Sequence, residues 1–234
     1  MRATVCLPTY DERANLERMI RALEGVLREG DRVLVIDDNS PDGTGQIADT
    51  LADELAFVSV LHRPEKQGLG PAYLAGFRRA LDDGAELVLE MDCDFSHNPE
   101  DVPRLIGAAE QGADLAIGSR YVPGGGTRHW GLARRAISRG GSLYTELFLR
   151  MGVRDPTGGF KCFRRTVLES LDLAAITAKG YAFQIETTYR AKQKGFSVVE
   201  LPIVFDDREH GHSKMSRGIV LEAIWRVPLL RVGR

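Results

Sequence analysis

Two aspartates separated by one residue stand out in the segment MDCDFSH, residues 91–97. The segment overlaps the end of the mainly apolar run 85–91, which is typical of a buried strand. Because side chains alternate along a strand, Asp92 and Asp94 would lie on the same face. Neighbouring carboxylates repel each other, so a compensating group is expected. Three interpretations stay open on these residues alone: a metal site, a catalytic carboxylate pair, or a solvated strand end.

Two other chemistries fit the same segment less well. The letters DCDFS match the DxDx[ST] pattern of haloacid-dehalogenase-like phosphatases, whose first aspartate is a nucleophile. That pattern normally follows the first strand, whereas here it follows the fourth predicted strand. Zinc is not favoured, because Cys93 and His97 have no second Cys/His pair at zinc spacing. We therefore expect Cys93 to be a small packing residue and His97 a polar residue at the start of a helix.

Strands and helices alternate along the first half of the chain, which predicts an α/β fold with a mainly parallel sheet flanked by helices. The predicted strands are 3–7, 32–36, 57–61, 87–91 and 115–117; the predicted helices begin near Asp11 or Asn15, at 46, at 70 and after the cap Asn98. Acidic loops follow the first, second and fourth strands: PTYDE, DDNS and DCD. Ligands of such sheets bind at the carboxyl ends of the strands, so one cleft should collect these carboxylates.

The 234 residues, 43% of them hydrophobic, are enough for one substantial core, and a single domain over 1–234 is expected. The net charge of −2 hides an asymmetry. Residues 1–119 carry 11 Lys and Arg against 23 Asp and Glu, whereas residues 120–234 carry 20 against 10. The basic half is therefore suited to anionic partners such as phosphates or a lipid surface. No nucleic-acid partner is expected.

Targeting and redox signals are sparse. The three cysteines are far apart and odd in number, which favours a reducing compartment. Neither a signal peptide nor a run of about 20 apolar residues is found in the sequence. A soluble or peripheral protein is therefore expected.

The first strand-to-helix turn, LPTYDERAN, lacks the glycines of a dinucleotide-binding fingerprint, and a GxxxxGK[ST] phosphate loop is also absent. The expected cleft offers acids instead, and acids repel a diphosphate. A divalent cation between the two would resolve the repulsion. Oxygen ligands favour Mg²⁺ or Mn²⁺ in that role.

A set of motifs in a fixed order makes this chain similar to a known family. The motifs are PTYDERANL, VLVIDDNSPDGT, GLGPAYLAGF, MDCDFSHNPED, GSRYVPGG, DPTGGFKCF, KGYAFQIE and DREHGHSKMS. Together they resemble the family-2 glycosyltransferases, specifically the dolichol-phosphate (polyprenol-phosphate) mannose synthases, over roughly residues 3–217. The resemblance implies a GT-A fold and transfer of mannose from GDP-mannose to a polyprenyl phosphate, with inversion at the anomeric carbon.

The resemblance also implies roles for particular residues. The guanine nucleoside would be held by Pro8, Tyr10, Glu12, Ile36 and Asp38. The DxD site, which addresses the metal and the donor diphosphate, would be Asp92, Cys93 and Asp94, with Ser96 as a further candidate metal ligand. The cations at the donor and acceptor phosphates would be Arg120, Arg208 and Lys214. Among these, Asp94, Arg120, Arg208 and Lys214 are the expected catalytic residues. The resemblance thus implies that the acidic half, 1–119, holds metal and nucleotide and that the basic half, 120–234, receives the lipid phosphate.

The acceptor's hydrophobic tail implies a membrane. Residues 128–151 and 216–231 combine arginines with tryptophan and aliphatic side chains, a composition typical of amphipathic helices that lie on a membrane surface. We therefore expect peripheral attachment at the cytoplasmic face, with a separate membrane protein as a further candidate anchor. Some members of the family continue into transmembrane segments, and none is expected within this sequence.

Two other functions remain open on sequence grounds. The same fold and acceptor would also suit UDP-glucose as the donor, which would make the protein a polyprenyl-phosphate glucosyltransferase. The other is a subunit that is weakly active by itself and acts through a partner. Such a subunit would bind nucleotide sugar or membrane and would share most of the motifs. The segment DREHGHSK resembles the mannose synthases more closely, which ranks mannose first.

Overall fold

A computed structural model describes residues 1–178, 180–207 and 225–231. The strands are β1 (Ala3–Thr9), β2 (Arg32–Asp37), β3 (Val58–His62), β4 (Leu87–Glu90), β5 (Leu115–Ser119), β6 (Gly126–Thr127), β7 (Lys161–Arg164), β8 (Val198–Pro202) and β9 (Val204–Phe205). The helices are α1 (Leu16–Glu24), α2 (Thr44–Glu54), α3 (Leu69–Asp82), α4 (Val102–Glu110), α5 (Leu132–Leu149), α6 (Arg165–Ser170) and α7 (Gly180–Gln193). A 3₁₀ turn at Pro99–Asp101 precedes α4, and residues 225–231 are helical.

Seven strands form one sheet in the order β3-β2-β1-β4-β7-β5-β8. All neighbours are parallel except β7, which is antiparallel to both β4 and β5. The expectation of a mainly parallel α/β sheet is therefore confirmed. The short strands β6 and β9 pair separately beside it.

The first strand continues past the point at which Pro8 was expected to stop it. Pairing of β1 with β4 ends at Cys6, whereas pairing with β2 extends through Pro8 to Thr9. A proline is tolerated where one side of the strand needs no N–H donor. The extension carries the loop after β1 alongside the end of β2.

Apolar side chains fill both faces of the sheet. One face packs α3, α7 and the end of α5 around Tyr73, Phe77, Phe163 and Phe183. The other face packs α1, α2 and α4, with Leu16, Met19, Ile20 and Leu23 of α1 fully buried at helical spacing. All three cysteines are buried, which agrees with the expected packing role of Cys93.

Helix α5 occupies the centre of the predicted amphipathic segment 128–151. Of the second predicted amphipathic segment, only 225–231 belongs to the described residues, and these are helical. None of the helices within the described ranges is both long and apolar enough to cross a membrane.

Candidate functional site

The DCD loop, residues 92–97, follows β4 and turns sharply back on itself. Asp94 is buried, and its Oδ1 accepts a hydrogen bond of 3.1 Å from the backbone N–H of Ser96. Phe95 between them has a φ of 61°, a left-handed conformation that is uncommon outside glycine. Asp92 is partly buried and accepts a hydrogen bond of 3.4 Å from the hydroxyl of Tyr73. The turn brings both carboxylates and the Ser96 hydroxyl to one end of the sheet.

The buried side chain of His97 supports the DCD loop through a hydrogen bond and a ring contact. The backbone N–H of Asp92 donates to His97 Nδ1 at 3.2 Å, and the imidazole stacks on Phe160 with a centroid separation of 4.9 Å. Burial lowers the pKa of His97 to about 4, although the Asp94 carboxylate opposes the shift. The ring is therefore neutral near pH 7, with Nδ1 free of a proton and able to accept. The expectation of a polar residue at a helix start missed this positioning role.

The predicted nucleoside-binding residues are brought together at the ends of β1 and β2. Pro8 and Ile36 are register partners, and the N–H of Asp38 donates to the carbonyl oxygen of Thr9 at 3.1 Å. Glu12 is buried, and its backbone N–H donates to Thr44 Oγ1 at 3.0 Å. Because β1 lies between β2 and β4, this group lies at the same edge of the sheet as the DCD loop.

Two basic side chains lie beside the predicted nucleoside-binding residues. Arg63 pairs with the Asp38 carboxylate, and the Lys66 ammonium lies 3.7 Å from the centroid of the Tyr10 ring. Burial raises the pKa of Asp38, and the Arg63 guanidinium partly offsets this. Neither Arg63 nor Lys66 was singled out from the sequence. Their position in the loop after β3, the strand beside β2, is the signal that could have identified them.

Arg120 follows β5 and is buried in an ion pair with Asp155. The guanidinium donates from Nε at 2.7 Å and from Nη2 at 2.6 Å to the two carboxylate oxygens, and the Arg120 N–H adds a third bond of 2.9 Å. Burial lowers the pKa of Arg120, but the Asp155 carboxylate more than offsets it, so the pKa lies above its ordinary value. Contact with phosphate stays a prediction for Arg120, and its observed partners include Asp155 and Thr157.

The segment after β8 contacts both the DCD loop and Arg120. The N–H of Asp206 donates to the carbonyl oxygen of Ser96 at 3.2 Å, and the Phe205 ring lies edge-on to His97 with centroids 5.2 Å apart. The Arg120 guanidinium lies 5.5 Å from the same Phe205 ring. The DCD loop and Arg120 are thus joined through Phe205. Arg208 and Lys214, which follow this segment, lie outside the described residues.

A buried pair of charged residues, not predicted from the sequence, lies at the end of β4 beneath the DCD loop. Glu90 and Lys161 are register partners on β4 and β7, and both are fully buried. Lys161 Nζ donates to the carbonyl oxygen of Gln184 at 2.7 Å. Burial raises the pKa of Glu90 to about 7 and lowers that of Lys161 to about 8, and each charge opposes the shift of the other. Charged letters inside the apolar strands, in LVLE and KCFR, were the available signal.

The oxygen-rich loop fits a divalent cation. Asp92 and Asp94 supply carboxylate oxygens, and the buried Ser96 hydroxyl has no hydrogen-bond partner among the described residues. Within those residues there is no group of three or more His, Cys, Asp and Glu side chains that could hold a metal by themselves. Such a sparse set suits Mg²⁺ or Mn²⁺ shared with substrate phosphates and water.

Two known proteins are similar to this chain over most of its length. The chain is 48% identical over 227 residues to the polyprenol monophosphomannose synthase of Mycolicibacterium smegmatis, covering 97% of this chain and 85% of that protein. It is also 48% identical to the undecaprenyl-phosphate mannosyltransferase of Micrococcus luteus, covering 97% and 93%.

Solved structures share the fold at low sequence identity. Glucosyl-3-phosphoglycerate synthase from Mycobacterium tuberculosis, in complex with Mn²⁺, UDP and phosphoglyceric acid, matches with a TM-score of 0.71 and 21% identity over 97% of this chain and 78% of that one. A mannosyltransferase from Pyrobaculum calidifontis, in complex with GDP-Man and Mn²⁺, matches with a TM-score of 0.64 and 17% identity over 91% and 58%. These likenesses confirm the expected GT-A fold. A profile of glycosyl transferase family 2 matches residues 4–172, and the chain belongs to that family.

Proposed function

We propose that this protein transfers mannose from GDP-mannose to a polyprenyl phosphate, with inversion, to give a lipid-linked mannose donor. The observation that supports this most strongly is the 48% identity, over 97% of the chain, to a polyprenol monophosphomannose synthase and to an undecaprenyl-phosphate mannosyltransferase. The site geometry is compatible with it, because the DCD loop and the predicted nucleoside-binding residues share one edge of the sheet. The comparisons do not favour UDP-glucose as the donor.

The DCD loop would hold a divalent cation through Asp92 and Asp94, with Ser96 as a third oxygen ligand. Bound there, Mg²⁺ or Mn²⁺ would stabilise the negative charge that develops on the leaving diphosphate. Hydrogen bonds within the chain hold those ligands in place before a cation binds. The N–H of Ser96 fixes the Asp94 carboxylate, and His97 fixes the backbone at Asp92. Tyr10, Glu12 and the end of β2 would bind the nucleoside beside them.

The acceptor is a phosphate monoester, so no strong general base is required. A phosphate is already anionic near neutral pH and can attack the anomeric carbon directly. His97 is accordingly not assigned the role of a general base, because its Nδ1 already accepts a backbone hydrogen bond and its ring is buried. Cations must instead offset the repulsion between two phosphates. We assign that role to Arg120, Arg208 and Lys214.

A membrane surface would present the acceptor. Helix α5 exposes Leu132, Ile137, Leu143 and Leu147, and the helical residues 225–231 expose Trp225 and Leu229. The two helices are adjacent, because the Arg231 guanidinium donates to the carbonyl oxygen of Phe148 at 2.5 Å. Large apolar side chains exposed beside arginines suit a helix that lies at a membrane interface. We propose peripheral attachment at the cytoplasmic face, and a separate anchor protein would strengthen it.

The test incubates purified protein with labelled GDP-mannose, polyprenyl phosphate and Mg²⁺ or Mn²⁺. Formation of an acid-labile, lipid-soluble mannose is expected, and its absence under all these conditions would refute the proposal. A parallel donor panel with UDP-glucose compares turnover directly. Activity of the purified protein alone would exclude a subunit that works only through a partner.

A matched pair of variants connects the activity to the DCD loop. Asp94→Asn should lower kcat/KM at least about a hundredfold, because it removes one carboxylate of the metal site. Asp53→Asn changes an exposed aspartate on α2 and should leave kcat/KM within about twofold. Equal losses in the two variants would contradict the assignment of the metal site.

A further inference from the structure

A cavity of about 400 Å³ lies beside α5, away from the DCD loop. Its lining consists of Tyr121, Arg139, Ser142, Leu143, Glu146, Gly152, Val153 and Arg154. A volume of this order is within the range of small-ligand sites. Two arginines against one glutamate make the lining basic, and two aliphatic side chains, Leu143 and Val153, make it partly apolar.

The cavity lies on the flank of α5, between its buried face and its exposed apolar face. With 3.6 residues per turn, Arg139 lies roughly 40° around the helix from Leu143, and Ser142 roughly 100° in the same direction. Leu143 is 69% exposed, whereas Ser142 is buried. If the apolar face enters a membrane, the cavity opens at the level of the lipid headgroups.

The polar groups of the cavity favour an anion. Among the residues that the structure describes, the side chains of Arg139 and Arg154 have neither an ion pair nor a hydrogen bond, and both are exposed. The Glu146 carboxylate is instead occupied, because it accepts backbone N–H bonds from Met151 at 3.1 Å and Gly152 at 3.0 Å. The buried Ser142 hydroxyl lines the cavity and has no partner in the described part of the chain.

We propose that this cavity binds the headgroup phosphate of an anionic membrane phospholipid. The two guanidinium groups would bind the phosphate, and Leu143 would contact the start of the acyl chains. The site would be separate from the acceptor site, because none of the residues assigned to the donor or acceptor phosphates lines the cavity. The inference rests on the proposed membrane attachment and adds a lipid that holds α5 in one orientation.

The test measures binding of the purified chain to vesicles by cosedimentation, with no sugar donor or acceptor present. One vesicle set is phosphatidylcholine alone, and the other is phosphatidylcholine with phosphatidylglycerol in a three-to-one molar ratio. Arg139→Gln with Arg154→Gln should weaken binding to the anionic vesicles roughly 25-fold, because each basic residue near such a surface contributes about fivefold. Binding to the neutral vesicles should change less than about twofold.

Two controls separate a cavity from a diffuse basic surface. Arg150→Gln removes an exposed arginine at the end of α5 that does not line the cavity. Arg21→Gln with Arg32→Gln removes two charges elsewhere, at α1 and at the start of β2. Arg154→Gln should lower anionic-vesicle affinity several-fold more than Arg150→Gln. Equal effects of these two single variants would overturn the proposal.

A transfer assay in detergent distinguishes a phospholipid phosphate from the phosphate of the polyprenyl acceptor. The double variant at Arg139 and Arg154 should keep the wild-type KM for polyprenyl phosphate within about twofold, because detergent removes the phospholipid surface. A large rise in that KM would assign the cavity to the acceptor and overturn the proposal. If no variant or wild-type protein transfers mannose, the proposed function fails while the vesicle comparison still decides the lipid site.

Discussion

The Arg120–Asp155 ion pair offers a direct test of how the site is held together. Asp155→Asn removes a buried negative charge while keeping nearly the same shape. The side chain of Asp155 is fully buried, and that of Arg120 is 5% exposed. The substitution would therefore leave a buried guanidinium without its counter-charge.

The expected loss in the free energy of unfolding is about 3–5 kcal/mol, the range found when one partner of a buried ion pair is removed. The three hydrogen bonds that the carboxylate accepts from Arg120 place the pair at the strong end of such interactions. A surface pair should behave differently, because solvent screens it. Asp83→Asn, which breaks the exposed pair with Arg79, should cost at most about 1 kcal/mol.

Urea unfolding followed by circular dichroism measures both variants at one pH and salt concentration. The slope of the unfolding free energy against urea should stay unchanged, so that the difference in midpoint reports stability. A loss below about 1 kcal/mol for Asp155→Asn would refute the assignment of a buried, structural ion pair. A loss equal to that of Asp83→Asn would do the same.

Three further predictions concern neighbouring features. His97→Phe keeps a ring of similar shape but removes the acceptor of the Asp92 N–H. The free energy of unfolding should therefore fall by about 1 kcal/mol, and a titration should show a lower affinity for Mn²⁺. Burial lowers the folded-state pKa of Lys161 to about 8, so the unfolded chain binds more protons at this residue between about pH 8 and 10.5. Over that window the wild type should gain roughly 3 kcal/mol of stability relative to Lys161→Met, measured by urea unfolding at successive pH values. The comparison with the variant is needed because the buried thiols of Cys6 and Cys162, whose pKa values are raised, lower stability over the same window in both proteins. Gly70→Ala should lower the free energy of unfolding by about 1–3 kcal/mol, since its β-carbon would overlap the backbone carbonyl oxygen of Ala178. Gly107→Ala, at an open position in α4, should raise it by about 0.5–1 kcal/mol. Equal midpoints of the two variants in thermal unfolding would contradict this prediction.

The fold of the first half could be predicted because its signals are local. Periodic apolar residues of α1 and short apolar runs such as Arg32–Asp37 define each element within a few residues. The antiparallel strand β7 was missed, because Lys161–Arg164 is short and carries charges at both ends. Its insertion between β4 and β5 depends on partners about 70 and 50 residues upstream, which no local pattern records.

The position of the candidate site was predictable to the extent that its proposed residues follow strand ends. Asp92, Asp94 and Asp38 were placed correctly at one edge, because parallel strands end together. The supporting groups were not predictable in this way. Whether Arg120 faces solvent or Asp155 depends on a contact between residues 35 positions apart in the chain. The buried state of His97 likewise depends on Phe160 and Phe205, which come from later elements.

These supporting contacts hold the proposed metal ligands of the DCD loop in fixed positions. A cation gains affinity when its ligands are already held in the bound geometry, because less conformational entropy is lost on binding. The DCD loop is held at three separate points: the Ser96 N–H on Asp94, His97 under Asp92, and the Asp206 N–H on the Ser96 carbonyl oxygen. The third point belongs to the basic half of the chain. A displacement of Asp206 would therefore shift the Ser96 carbonyl oxygen and, through the loop, the proposed metal ligands Asp92 and Asp94.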